Sequence, residues 1–223
     1  MKPVLALVGR PNVGKSTLLN ALSGADVYVA DQLFATLDPT VRRVDLPNGR
    51  VVLVSDTVGF IQKLPVTLVA AFRATLEEVA DADLLVHVVD ASHERAWDHI
   101  DVVEDTLAEL EASRIPKLLV LNKIDRGECC GAIDYAALGY QAMVRVSAQE
   151  NTGLDALREA ISNVLLAELV AIKLIIPYAQ GEWVSAIHGR GVVLDERHTE
   201  QGVAIEARVP HWLAGRMRQA GLL

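Results

Sequence analysis

The sequence predicts an α/β fold: a doubly wound, mostly parallel sheet with one antiparallel hairpin, followed by a small α+β C-terminal unit. Short continuous apolar runs, typical of strands buried on both faces, alternate with amphipathic helical patterns up to about residue 170. An Asn-Gly pair at 48–49 lies between two β-rich runs and indicates a hairpin. Beyond residue 170 the pattern changes to short β-rich runs mixed with helical segments.

The elements of the larger domain follow from this alternation, because parallel strands need crossover connections that the helical segments can supply. Strands are predicted at 4–8, 40–46, 50–55, 84–89, 117–121 and 143–146. Helices are predicted where apolar residues recur on one helical face, at 16–22, 68–79, 95–112 and 154–169. Ligands of such sheets bind at the carboxyl ends of the strands.

The C-terminal part is predicted to be a domain of its own, so that the chain divides into residues 1–170 and 171–223. Its strands are predicted at 174–177, 192–195 and 203–209, and its helices at 181–188 and 211–220. No low-complexity linker marks the boundary between the two domains.

The composition of the chain disfavours several classes of protein, including DNA-binding and membrane-spanning ones. The chain has 223 residues, is 51% hydrophobic and carries a formal net charge of −8, so it can bury a large core, and DNA binding through bulk electrostatics is disfavoured. No uninterrupted run of about twenty apolar residues predicts a membrane span. No signal peptide is evident, and the adjacent Cys129 and Cys130 are interpreted as ordinary thiols, so a cytoplasmic location is expected.

His87 lies inside a predicted strand and is expected to be a hydrogen-bonded core residue.

Residues 9–16 match the phosphate-loop pattern G-x-x-x-x-G-K-[ST], with a strand before them and a helix after them. The glycines let successive backbone amides point at phosphate oxygens, and the helix N-terminus adds its dipole. Lys15 is expected to reach the β- and γ-phosphates, and the Ser16 hydroxyl is expected to ligate Mg²⁺. The predicted phosphate-binding residues are Gly9, Arg10, Pro11, Asn12, Val13, Gly14, Lys15, Ser16 and Thr17.

A second motif, Asp56-Thr57-Val58-Gly59, follows an apolar strand. An aspartate at that strand end lies across from Ser16 and can hold Mg²⁺, mostly through water. The Gly59 amide is expected to meet the γ-phosphate. Taken alone, D-x-x-G is a weak pattern that suits an ordinary Asp-Thr turn, but its spacing after the phosphate loop favours the metal site.

Asn122, Lys123 and Asp125 form an N-K-x-D pattern at the end of the strand predicted at 117–121. The Asp125 carboxylate can accept from both N1–H and the exocyclic amino group of guanine, whereas adenine presents no such pair of donors. The aliphatic stem of Lys123 can cover the base, and Asn122 can tie this loop back to the phosphate loop.

Two further stretches complete the predicted site. Ser147-Ala148 follows the next strand, and the Ala148 amide is expected to donate to guanine O6. A switch threonine must also close on Mg²⁺ and the γ-phosphate; Thr36 is favoured over Thr40, which lies directly against the first hairpin strand. The residues of this switch expected to line the nucleotide are Phe34, Ala35, Thr36, Leu37 and Asp38. The groups expected to act on the reacting phosphate are those of Lys15, Thr36, Gly59 and Asn12.

Together these motifs, in order at successive strand ends, predict a Mg²⁺-dependent protein that binds GTP or GDP and hydrolyses GTP. One alternative is a nucleotide-gated binding module whose switch loops dock on a partner, with little hydrolysis of its own. An ATPase is less well supported because Asp125 disfavours adenine. A dinucleotide oxidoreductase is poorly supported because the loop lacks the G-x-G-x-x-G pattern.

With these motifs the chain resembles the G domain of HflX, a family of ribosome-associated GTPases within the Obg-HflX group. The stretches DQLFATLDPT at 31–40, DTVGFI at 56–61 and LVAAFRATLEE at 68–78 look like the two switch regions of that family and the helix that follows them. The match covers roughly residues 4–170, and the tail is compatible with the small C-terminal domain of the family. The resemblance implies action with the large ribosomal subunit.

The chain departs from that family in two ways. The typical phosphate loop of the family has Thr-Asn-Ala where this chain has Pro11-Asn12-Val13. Family members also carry a sizeable N-terminal domain before the first strand, which here begins at Val4, so the expectation is either a trimmed or a natural short form without that domain.

Two residues bear on the rate of hydrolysis. Phe60 stands where many small GTPases carry a glutamine that orients the attacking water, so slow intrinsic turnover and stimulation by a partner are expected. In resembling GTPases an asparagine at the position of Asn12 helps to coordinate K⁺ between the phosphates. K⁺-stimulated hydrolysis is therefore a hypothesis, beside the alternative that Asn12 makes only local bonds.

Overall fold

The computed structural model describes residues 2–24, 40–56, 79–110, 112–127, 131 and 134–223. The described chain divides into two compact units, the larger formed by Pro3–Val164 and the smaller formed chiefly by Leu165–Leu223. The predicted boundary between two domains after residue 170 stays a prediction.

The larger unit is built on a six-stranded sheet with the strand order β2-β3-β1-β4-β5-β6. Every neighbouring pair is parallel except β2 and β3, which form the predicted antiparallel hairpin. The fold class predicted from the sequence is therefore confirmed. The strands are β1 (Val4–Val8), β2 (Thr40–Asp45), β3 (Val51–Asp56), β4 (Leu84–Asp90), β5 (Lys117–Asn122) and β6 (Ala142–Arg145).

Three described helices begin in this unit and follow the apolar periodicity of their sequences: α1 (Lys15–Ser23), α2 (Ala96–Glu109) and α3 (Leu154–Ala167). In α2, for example, the buried residues Ile100, Val103 and Leu107 recur at helical spacing. The predicted helix at 68–79 lies outside the described residues except for its end, where residues 79 and 80 are helical.

The central strands β1, β4 and β5 are almost wholly buried, which explains their continuous apolar sequences. Their carboxyl ends lie at one edge of the sheet, since Leu7 pairs with Asp56 on one side and Asp90 pairs with Asn122 on the other. This edge is where the predicted motifs begin.

The smaller unit is a three-stranded antiparallel sheet, in the order β7-β9-β8, with two helices that contribute to its apolar core. All three strands are longer than predicted, β9 by one residue at each end and the other two by more. β7 begins at Leu169, where a helix was expected, and β8 continues to Thr199, beyond its expected end at 195. The elements are β7 (Leu169–Ile176), α4 (Gly181–Arg190), β8 (Val192–Thr199), β9 (Gly202–Pro210) and α5 (His211–Gln219).

Candidate functional site

The phosphate loop leaves β1 at Gly9 and passes so close to two neighbouring strands that its glycines cannot be replaced without displacement. A Cβ on Gly9 would lie 2.4 Å from the carbonyl oxygen of Val88, and a Cβ on Gly14 would lie 2.4 Å from Nδ2 of Asn122. Gly14 has φ +95°, which suits glycine. Asn12 also takes a left-handed conformation, with φ 62°. The loop is thus folded tightly against the sheet edge, as a cradle of backbone amides requires.

Lys15 opens α1 and folds back over this loop. Its Nζ donates to the carbonyl oxygens of Gly9, at 3.2 Å, and Arg10, at 3.0 Å. Burial lowers the pKa of Lys15 to about 8, although the nearby charge of Asp56 acts in the opposite direction. A buried ammonium group is therefore held at the loop, where an anionic ligand would be stabilised most strongly.

Ser16 and Asp56 bring two oxygen donors together at the same edge. Ser16 Oγ donates to Asp56 Oδ2 over 2.5 Å, and the Asp56 side chain is buried. A hydroxyl beside a carboxylate is a hard-oxygen donor set, and it fits Mg²⁺. Thr57, Val58 and Gly59 of this motif lie outside the described residues.

Asn122 connects three loops of the site. Its Nδ2 donates to the Val13 carbonyl at 2.9 Å, and its Oδ1 accepts from the Ala148 amide at 3.0 Å. Its own backbone carbonyl accepts from the Ala91 amide at 2.8 Å. The predicted tie between Asn122 and the phosphate loop is present. The Ala148 amide already donates to Asn122, so donation to a base oxygen would have to share this hydrogen.

Asp125 lies in a 3₁₀ turn at Ile124–Arg126 and is oriented by Ser147. The Ser147 hydroxyl donates to Asp125 Oδ1 over 2.6 Å and accepts from the Glu150 amide at 3.1 Å. The sequence motif predicted no role for the side chain of Ser147. In the structure, the Ser147 hydroxyl fixes the carboxylate that is predicted to select the base.

Lys123 makes a contact that sequence reasoning missed. Its Nζ donates to the Asn12 carbonyl and to Asp90 Oδ2, both at 2.7 Å. The other oxygen of Asp90 accepts from the amide of Ser92, at 3.0 Å, and from its hydroxyl, at 2.7 Å. Burial alone would raise the pKa of Asp90, but the hydrogen bonds from Lys123 and Ser92 outweigh it and lower the pKa. The sequence carries only a weak local signal for this contact, an aspartate at the end of an apolar strand and two residues before a serine, and it does not reveal the partner Lys123.

His87 confirms the expectation of a core histidine. It is buried, and its Nδ1 lies 2.6 Å from the Tyr140 hydroxyl, which donates to Glu104 Oε1 at 2.7 Å. Lys117 forms an ion pair with the same Glu104. Burial, followed by the charges of Lys117 and Lys15, lowers the pKa of His87 to about 3. Burial and the Glu104 carboxylate raise the pKa of Tyr140.

The structure brings the phosphate loop, Asp56, the N-K-x-D residues and Ser147-Ala148 to one edge of the sheet. The predicted switch residues lie outside the described residues, so their places remain predictions. They are Phe34, Ala35, Thr36, Leu37 and Asp38, and the same holds for Phe60, Cys129 and Cys130. In the part of the chain that the structure describes, no helix has the length and apolar character needed to cross a membrane.

Comparison with known proteins points to one group. A family model described as 50S ribosome-binding GTPase matches residues 4–123. GTPase HflX of Caldanaerobacter subterraneus subsp. tengcongensis is 45% identical over 216 residues, which are 97% of this chain and 49% of that protein. GTPase HflX of Escherichia coli K12 is 42% identical over 210 residues, which are 93% of this chain and 49% of that protein. The chain thus spans about half the length of these relatives.

Solved structures share the fold. A GTP-binding protein from Sulfolobus solfataricus in complex with GDP superposes with a TM-score of 0.57 and 29% identity, covering 73% of this chain and 52% of that one. The FeoB G-domain from Methanococcus jannaschii superposes with a TM-score of 0.55 and 30% identity, covering 74% of this chain and 99% of that one.

Proposed function

The chain belongs to the 50S ribosome-binding GTPase family, and to its HflX type, and from that premise we propose that it binds GTP with Mg²⁺ and hydrolyses it to GDP and phosphate. The observation that carries the proposal is the position of Asn122. Because its side chain bonds to both Val13 and Ala148, hydrogen bonds join the phosphate loop, the N-K-x-D loop and the Ser147-Ala148 loop at one edge of the sheet.

At this edge of the sheet the phosphates are held by the backbone amides of residues 9–17 other than Pro11, which has no N–H, and by the Lys15 ammonium. Mg²⁺ is held by Ser16 and Asp56, with Thr36 as the proposed third protein ligand; when bound, it neutralises charge on the phosphate oxygens. The oxygen pair of Ser16 and Asp56, 2.5 Å apart, supports this metal site.

Guanine is selected by Asp125, which accepts from the two donors of the base edge. The hydrogen bond from Ser147 supports this role because it orients the carboxylate before the ligand arrives. Adenine would leave that acceptor unpaired. Asp125 is exposed in the described chain, so the cost of about 1–3 kcal/mol applies once a bound base covers the carboxylate.

Hydrolysis is proposed to be slow without a partner. Phe60 cannot orient water through a hydrogen bond, so the catalytic contribution falls to Lys15, Thr36, the Gly59 amide and a cation. K⁺ is the proposed cation, with Asn12 as one ligand.

The proposed partner is the large ribosomal subunit, in the cytoplasm. The HflX name of the relatives and the description of the matching family support this partner. If that partner never raises hydrolysis, the remaining function is a nucleotide-gated module whose switch loops signal the bound state.

Single-turnover hydrolysis of GTP, with and without purified large ribosomal subunits, tests the proposal together with titrations of GDP and ADP. We expect tight GDP binding, weak ADP binding and faster hydrolysis with the subunits. Equal affinity for GDP and ADP would remove the guanine-specific assignment. Tight GDP binding with no hydrolysis under either condition would leave only the nucleotide-gated module.

A further inference from the structure

Asp90 ends β4 at the sheet edge that carries the nucleotide site, although it belongs to none of the sequence motifs. It is level with Asn122 in the β4–β5 register, and the chain after it is anchored by the bond from the Ala91 amide to the Asn122 carbonyl. Its backbone is therefore fixed beside the strand that leads into the N-K-x-D loop.

Both oxygens of the Asp90 carboxylate accept hydrogen bonds. Oδ1 accepts two hydrogen bonds from Ser92, which fixes the rotation of the group. Oδ2 accepts from Lys123 Nζ at 2.7 Å, in a partly buried ion pair. An ion pair with both partners restrained contributes more than an exposed pair of mobile side chains.

Lys123 also links Asp90 to the phosphate loop. Its Nζ also donates to the carbonyl oxygen of Asn12. Lys123 and Asn12 both have left-handed backbones, with φ of 64° and 62°. Such a conformation is less favourable than the right-handed one for a residue with a side chain, so it persists where surrounding contacts hold it.

We propose that Asp90 is a positioning residue of the nucleotide site, because it fixes the side chain of Lys123. In that position the stem of Lys123 covers the base, and the ammonium group of Lys123 joins the N-K-x-D loop to the phosphate loop. This inference rests on the proposed guanine-nucleotide binding. Without the Asp90 charge, the partner that the described residues leave to the Lys123 ammonium is the Asn12 carbonyl. The stem of Lys123 then moves away from the base, and the nucleotide leaves faster.

The test is a double-mutant cycle on the rate of GDP dissociation, measured with a fluorescent GDP analogue. Asp90→Asn should raise that rate about tenfold in the wild-type background, the size of one lost charge-assisted hydrogen bond. In a Lys123→Met background the same substitution should change the rate less than twofold, because the group it positions is gone. The matched control is Asp155→Asn, which removes an exposed ion pair with Arg158 and should leave the rate unchanged.

Ser92→Ala provides a second cycle in case Asp90→Asn fails to fold. It keeps the carboxylate charge and the bond from the amide of residue 92 but removes the hydroxyl bond to Oδ1, so the carboxylate is less restrained. We expect about a threefold faster release, again lost in the Lys123→Met background. The proposal is overturned if every variant of this pair that folds, Asp90→Asn or Ser92→Ala, releases GDP at the wild-type rate, or if the effects persist without Lys123. Wild-type protein that binds no GDP would instead remove the proposed function itself.

Discussion

The hydroxyl of Ser147 donates a hydrogen bond of 2.6 Å to Asp125 Oδ1, so the residue that is proposed to read the base is oriented by a loop 22 positions away. Ser147 itself is buried and is held by a pair of backbone bonds to Thr152. The Ser-Ala motif therefore does more than supply a backbone amide: it sets the direction of the carboxylate.

Removing that hydroxyl should weaken both affinity and selectivity. We expect Ser147→Ala to raise the dissociation constant for GDP about tenfold, because a bond to a charged acceptor is lost and Asp125 is no longer held toward the base. The ratio of the ADP and GDP dissociation constants should fall as well. Isothermal titration with both nucleotides measures the two effects.

Ser162→Ala is the matched control for this substitution. Ser162 is also a buried serine, and its hydroxyl accepts from Asn48 at 2.8 Å on the hairpin turn. Its loss should change GDP affinity less than about twofold. A Ser147→Ala protein with wild-type GDP affinity would show that Asp125 needs no such support.

Gly14→Ala should disrupt the site through Asn122. The new Cβ would lie 2.4 Å from Asn122 Nδ2, so the side chain that joins three loops must move. Gly49→Ala is the control, because Gly49 also has positive φ but a Cβ there meets no atom within 4 Å. Both variants carry the left-handed strain of about 1–2 kcal/mol. Only Gly14→Ala should lose GDP affinity by more than about tenfold, and equal losses in both variants would contradict the steric explanation.

The sequence predicted the sheet and the motif residues because both are local signals. Apolar runs with helical segments between them identify parallel strands, and the phosphate-loop spacing identifies its own strand–loop–helix context. Asp90 could not be identified in this way, because its partner Lys123 lies 33 positions along the chain and is reached only through the β4–β5 register.

The smaller unit shows a second limit of local patterns. Residues 169–173 are apolar enough to continue α3, but pairing from Leu169 opposite Pro210 to Ile176 opposite Val203 makes them a strand. The polar stretch at the end of β8 gave no strand signal, yet it pairs with β9 as far as Thr199. Tertiary pairing overrode propensity in both places.

Folding stability should fall in mildly acidic solution because of His87. Its pKa is about 3 in the folded protein and about 6.5 in an unfolded chain, so the unfolded state binds more protons between these values. The free energy of unfolding therefore decreases as the pH falls from 6.5 towards 3. This group alone should account for about 2–3 kcal/mol at pH 4.5.

Urea titrations at pH 7.0, 5.5 and 4.5 measure this effect. His87→Gln should be less stable at pH 7.0 but should lose less stability on acidification than the wild-type protein does. The exposed His211 provides the control, and His211→Gln should follow the wild-type curve. An unchanged pH dependence in His87→Gln would mean that other groups, such as carboxylates, account for the acid sensitivity.

The proposed role of K⁺ can be separated from backbone strain at Asn12. Asn12→Gly removes the side chain while keeping the left-handed backbone, which has φ 62°. Wild-type protein should hydrolyse GTP faster in K⁺ than in Na⁺ by about tenfold or more, and Asn12→Gly should reduce the ratio of the two rates towards one. Asn151→Gly makes the same exchange at a second left-handed asparagine, with φ 56°, and should keep the wild-type ratio. If wild-type rates are equal in the two salts, Asn12 makes only local bonds and the cation has no part in hydrolysis.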